Sequence, residues 1–241
     1  MRPNSRLIGV WSAAAFFVIW AVGYLGFAHW VPPLAPSLTA PQVAQLFHES
    51  SVPIRVGMVL MSLGAVLYLP WTVTLSTLIK EIEGKSFFWA ATQLAAGIVS
   101  MLTFMLPAFA WAAAAFRPER NPEITQALSD LGWLLFITPI APFMVQYIIL
   151  GIAILKDSRP RPAFPRWAAY LQFWVSLSFI PAVIAFFAKS GPFAWNGLLV
   201  WWIPLTSFTG WFVLMIVLAR RAVLMPEAAA AQYGAPAGLR S

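Results

Sequence analysis

The chain has 241 residues, 61% of them hydrophobic and only 10% charged, with fifteen Lys and Arg, eight Asp and Glu, and a formal net charge of +7. Too few charges are present to coat a soluble core of this size, and the absence of cysteine excludes disulfides, thiolate metal sites and cysteine nucleophiles. The excess of cations does not call for nucleic acid, because they are scattered over short loops where they suit the anionic lipids of an inner leaflet.

In chain order, a hydropathy window of about 19 residues, matched to a hydrocarbon layer of about 30 Å, predicts six spans at about 7–29, 54–79, 87–116, 127–155, 167–188 and 195–219. The first reads as a retained helix rather than a cleaved leader, since its apolar stretch is long and ends in the aromatic "GYLGFAHW". Between spans one and two, Thr39 and Gln42 stand at capping-box spacing ahead of Val43, Leu46 and Phe47, which predicts a short amphipathic helix on the membrane surface. Asn121 and Pro122 start the fourth span as cap and first helical residue. Pro160, Pro162 and Pro165 predict an extended basic loop before span five. Residues 226–241, rich in alanine, are expected to form a disordered tail or a loose helix. The fold class expected is an all-α integral membrane protein, a bundle of six transmembrane helices with one short extracytoplasmic amphipathic helix.

With the N-terminus inside, eleven of the fifteen cations fall on the inner side, and only Arg55, Arg117, Arg120 and Lys189 fall outside. The acids divide evenly, so the inner side carries the whole net charge of +7. This positive-inside bias puts both termini in the cytoplasm, and the Ala, Pro, Arg and Trp richness suggests the inner membrane of a bacterium.

Six prolines, Pro70, Pro107, Pro139, Pro142, Pro181 and Pro204, fall inside spans two to six, where each removes a backbone donor and clashes with the preceding turn. Polar side chains recur at helical spacing beside them: Tyr68, Thr72 and Ser76; Gln93, Gly97 and Ser100; Thr138, Pro142 and Gln146; Gln172 and Ser176; Trp202, Thr206 and Thr209. Such stripes are expected to face the bundle interior, because lipid cannot satisfy them. Trp11, Trp30, Trp89, Trp167 and Trp195 sit near the span ends as an interfacial belt, whereas Trp71, Trp174, Trp201, Trp202 and Trp211 lie deeper and supply flat walls.

A Pro-kinked, Trp-lined cavity opening to the outer side follows from this pattern. Its expected rim is Asp130, Arg55, Trp133, Trp195 and Asn196, and its expected lining Thr138, Gln146, Gln93, Tyr68 and Trp202. Asp130 begins near the outer headgroup boundary, where Arg55 is at comparable depth; the two form either a gating pair or an interfacial ion pair without further role. Asp130 and His48 are the candidates for acid and base catalysis. His29 and His48 are the only histidines and neither lies inside facing helices, so no metal and no cofactor is expected.

Three functional readings stand. The first is binding or permeation of a small apolar molecule. The second is an accessory subunit docking on a membrane protein partner, and the third a metal-independent enzyme acting on a lipophilic substrate with Gln93, Gln146 or Tyr68 as hydrogen-bonding groups.

Overall fold

The computed structural model describes the backbone of residues 3–232 and the side chains of residues 5–225, which form helices joined by loops. Helix α1 (Pro3–Ala21) continues into a π-helical turn, Val22–Phe27; α2 (Ala40–Glu49) is short; α3 (Ser51–Ala65) and α4 (Tyr68–Glu83) are separated by two residues. Helix α5 (Phe88–Phe116) is one rod, while α6 (Pro122–Ile137) and α7 (Ala141–Lys156) form a broken pair. Helix α8 (Trp167–Ser178) passes into 3-10 turns, Ile180–Phe186, and a π-helical turn, Leu198–Trp202, leads into α9 (Ile203–Gln232).

Six helical runs are long and apolar enough to cross a membrane: Ser5–Phe27, Ser51–Glu83, Phe88–Phe116, Pro122–Lys156, Trp167–Phe186 and Leu198–Met225. They match the six expected spans in order. Of the tail expected from residue 226, the α9 backbone reaches Gln232 and the remainder lies outside the described residues.

The helix breaks have local causes. Pro139 and Pro142 flank the interruption between α6 and α7, Pro181 sits at the start of the 3-10 turns, and Pro204 follows the π-helical turn. Each lacks the N–H that would continue the α ladder. Pro107 differs, because α5 carries it without a break. The Asn121 side chain accepts from the Glu123 N–H at 2.9 Å, so the expected cap of α6 is formed.

The six runs lie in a ring, each packed on its sequence neighbours, with α1 closing the circle against α9. In a bilayer, apolar side chains would gain little by leaving lipid for another helix, which would leave close approach at small residues and dispersion to hold such a ring. Accordingly Gly97 of α5 leaves no room for a methyl beside the Thr72 hydroxyl of α4, and Gly132 of α6 accepts the indole edge of Trp111 from α5. The interior is filled by rings. Phe104 on α5 meets Phe16 at 4.9 Å, Tyr68 and Phe143 each at 5.6 Å, and Phe208 at 5.9 Å, so one side chain touches helices α1, α4, α7 and α9. Aromatic pairs of this kind contribute about 0.5–1.5 kcal/mol each beyond area alone.

At one end of the ring α2 buries Val43 and Phe47 and packs on α6. Its capping box is present, with Gln42 Oε1 accepting the Thr39 N–H at 2.8 Å. The Trp195 indole donates to the Leu34 carbonyl at 2.7 Å and Gln126 donates to the Leu38 carbonyl at 2.9 Å, which tie the preceding segment down as well. The opposite end is ionic. Arg6 pairs with Glu81, Arg159 lies 3.8 Å from Glu81, and Arg159 pairs with Asp157 at 2.8 Å.

The loop of residues 157–166, expected to be extended, instead winds round Asp157. This carboxylate, 1% exposed, accepts from Arg159 Nε at 2.8 Å and from the Ala163 N–H at 3.0 Å. Burial pushes the Asp157 pKa up, but the Arg159 guanidinium and the Ala163 and Arg159 backbone N–H groups outweigh it and hold the carboxyl below the usual Asp value. The prolines prevent helix formation here; the buried acid then decides the course.

Candidate functional site

The three irregular breaks converge. Between them lies a partly open cavity of about 100 Å³. Thr103 and Phe104 of α5 form one wall, Phe136, Pro139 and Phe143 at the α6–α7 break a second, and Phe179 and Ala182 from the α8 end a third; Trp201, Pro204 and Phe208 close it. Counting about 1.5 Å per residue from Phe88 puts Phe104 roughly 24 Å along α5, a little past its middle. A 3-10 turn is narrower than an α-helix and a π turn wider, so side chains on either side of a break leave the packing register of their neighbours. Where three such breaks meet, a gap remains.

Thr103 supplies the one hydroxyl on this wall, and it donates to the Ser100 carbonyl at 2.7 Å. No charged residue lines the cavity. Enclosed apolar cavities stay dry, and an engineered one of about 150 Å³ takes benzene or xenon.

Beside the cavity runs a second aromatic cluster. Trp133 meets Trp111 at 4.9 Å, Trp30 at 5.5 Å and Trp201 at 6.1 Å, while Tyr24 lies 5.8 Å from Trp201. Trp111 and Trp195 donate to the carbonyls of Ser129 and Leu34 at 3.2 and 2.7 Å. Among the described residues, the indole nitrogens of Trp20, Trp133 and Trp201 and the Tyr24 hydroxyl have no hydrogen-bond partner although those atoms are buried. Each buried donor left unpaired costs about 1–3 kcal/mol.

The predicted site residues fall into separate groups. Tyr68, Gln93 and Gln146 do meet, yet not as a cavity lining: Gln146 Nε2 donates to Ser100 Oγ at 2.7 Å, Gln93 Nε2 donates to Thr72 Oγ1 at 3.0 Å and to Gln146 Oε1 at 3.3 Å, and Tyr68 Oη donates to Gln146 Oε1 at 3.5 Å. All three are nearly inaccessible, at 0–3% exposure. The stripes through Tyr68, Gln93 and Gln146 therefore turn inward as expected and bond to one another, fastening α4, α5 and α7, although Gln93 Oε1 is left without a partner; the stripe of Trp202 and Thr206, expected to face inward too, is exposed. Thr138 sits at the α6–α7 break between two residues of the wall but does not itself line the cavity, and its hydroxyl donates to the Leu134 carbonyl at 2.7 Å. Trp133 and Trp195 belong to the aromatic cluster, and Asn196 sits half-buried in the neighbouring turn.

Trp202 is exposed together with Thr206, whereas the adjacent Trp201 lines the cavity. A helical wheel cannot foresee this, because the π turn at Leu198–Trp202 changes the rotation per residue just there. Asp130 and Arg55 are not paired. Asp130 is half-buried, while Arg55 Nε donates to the Ser51 carbonyl at 3.2 Å. His48 and His29 are exposed, and Glu49 beside His48 is engaged by Gln45 at 2.8 Å. Among the described residues no group of His, Cys, Asp and Glu is arranged to hold a metal.

The residues missed were the phenylalanines: Phe104, Phe136, Phe143, Phe179 and Phe208. For Phe136, Phe143, Phe179 and Phe208, proximity to Pro139, Pro142, Pro181 and Pro204 in the sequence is the available signal; Phe104 carries none of that kind. No protein-family model matches the chain, and comparison with curated proteins and with solved structures found no match.

Proposed function

We propose that this chain is a multi-pass protein of the bacterial inner membrane that binds, and in the manner of a permease passes, a small apolar molecule held in the cavity at the convergence of the three helix breaks. Both termini face the cytoplasm in this reading, supported by the cation bias of the loops, and the basic end meets anionic inner-leaflet lipid. The observation that carries the proposal is a cavity of about 100 Å³ whose wall holds no charged group and whose position coincides with proline-broken helices. Broken helices at mid-depth in a membrane bundle are tolerated where they border a cavity, and such segments recur at transporter binding sites. The enzyme reading lacks comparable support, since Asp130 and His48 are not part of the wall.

Detergent-purified protein titrated with methylcyclohexane tests this. Saturable quenching or enhancement of tryptophan emission is expected, and Ala182→Phe, which projects a ring into the cavity, abolishes it. Absence of saturable binding, or undiminished binding by the variant, overturns the proposal. Reporter fusions that put residues 156–166 outside the cell would overturn the stated orientation.

A further inference from the structure

Helices α4 and α7 both pack on α5, and near the ionic end of the ring the three leave a second cleft between them, of about 280 Å³. Ile79 and Ile82 of α4, Trp89 of α5, and Ile152 and Ala153 of α7 give it apolar walls, and Glu83, Ser86 and Lys156 also border it. It shares no residue with the cavity at the helix breaks. Its depth is set by the apolar runs: Glu83 is the last residue of one, Phe88 the first of the next and Lys156 the last of a third. In a bilayer, runs of spanning length end at the headgroup boundary, where Trp and Lys side chains reach the interface.

The charges at the cleft are unequally satisfied. The Glu83 carboxylate caps α5, accepting from the Ser86 hydroxyl and from the Trp89 and Ala90 N–H groups at 2.9 and 3.1 Å. Lys80 donates to the Gly84 and Ser86 carbonyls of the same turn, so a cation already stands beside that acid. Lys156 is exposed, lies 5.6 Å above the centre of the Trp89 ring, and forms no ion pair among the described residues. A cation–π contact restrains the ammonium but supplies no anion.

Resting on the reading of the chain as a membrane protein, we propose that this cleft holds one anionic glycerophospholipid, with its phosphate on Lys156 and the upper part of an acyl chain along Ile79, Ile82 and Ile152. A soluble anion would reach the lysine and leave the apolar walls uncovered, whereas an apolar molecule would cover the walls and leave the lysine without a counter-charge. A phospholipid answers both with one molecule, at the depth where its phosphate and its chain meet.

The test adds dioleoylphosphatidylglycerol or dioleoylphosphatidylcholine to the detergent-purified full chain and counts retained lipid by native mass spectrometry. One phosphatidylglycerol should be retained in preference to phosphatidylcholine. Lys156→Gln should weaken that retention by about 5-fold, Lys156→Arg should restore it, and Arg166→Gln, which removes the same charge away from the cleft, should leave it unchanged. Ile152→Trp, which fills the cleft and keeps every charge, should also weaken it. Equal losses for Lys156→Gln and Arg166→Gln would reduce the effect to diffuse attraction and overturn the site. Displacement of the lipid by glycerol 3-phosphate alone, or a second copy of the chain retained in place of lipid, would overturn it too. A chain that needs detergent yet retains no lipid sinks this site and leaves the membrane reading intact; a chain monodisperse in plain buffer sinks both.

Discussion

Gly23 and Gly57 face each other across the contact between the first two spans so closely that a methyl on Gly23 would stand 2.6 Å from the Gly57 carbonyl oxygen, and a methyl on Gly57 2.5 Å from that of Gly23. Both obstacles are backbone and cannot rotate away. Gly57→Ala is therefore expected to destabilise the protein by about 1–3 kcal/mol, read as a lower unfolding temperature in detergent. Gly26, one turn along, has only a Val22 methyl group nearby at 3.8 Å, so Gly26→Ala should be nearly neutral. Equal losses for the two variants would mean that this crossing does not depend on close approach.

The amide pair Gln93 and Gln146 tests the buried polar network. Gln146→Leu strands the Ser100 hydroxyl contact and one donor of Gln93, and should cost about 1–3 kcal/mol. Because the residues share one network, the double variant with Gln93→Leu should be less destabilised than the two single losses combined, by on the order of 1 kcal/mol. Strict additivity in thermal or denaturant unfolding would show that the amides act separately.

Acid sensitivity should originate at the ionic end. The Asp157 pKa lies below its ordinary value of about 3.9, so folding gains most from this group above that value and loses the gain as pH falls through the lower, folded one. Unfolding temperature should drop below about pH 4 in the wild type. Asp157→Asn should be less stable at pH 7 and flatter over the acid limb, and an unchanged acid limb would point to other carboxylates.

Asp130→Asn and His48→Ala should each leave apolar-ligand affinity within about twofold of wild type, because neither residue borders the cavity. A larger loss at either position, measured by the same fluorescence titration, would return the site to the outer rim that the sequence suggested.

The periodic features of the sequence were legible because they depend on the solvent and on the helix repeat alone. The six spans, the Asn121 cap, the Thr39–Gln42 capping box and the inward turn of the Gln93 and Gln146 stripes all follow from hydropathy or from spacings of three and four. The Asp130–Arg55 pair is not formed for a different reason: similar depth along the helices says nothing about position around a ring, and the Arg55 guanidinium turns instead to the Ser51 carbonyl of its own helix. The sequence points to Trp202 where Trp201 lines the cavity, since no propensity rule announces a π turn.

What the sequence determined by itself was therefore local: apolar runs of spanning length, basic connections and prolines that each remove a backbone donor. The tertiary structure alone decided where the interruptions meet. Proline removes a donor wherever it stands, but whether the resulting irregularity is packed over, as at Pro107 in α5, or left as a cavity, as beside Pro139 and Pro204, depends on which neighbours are brought against it. Likewise the polar atoms of Gln146 and Trp201 are equally expensive to bury, and only the three-dimensional arrangement gives partners to the first and withholds one from the second.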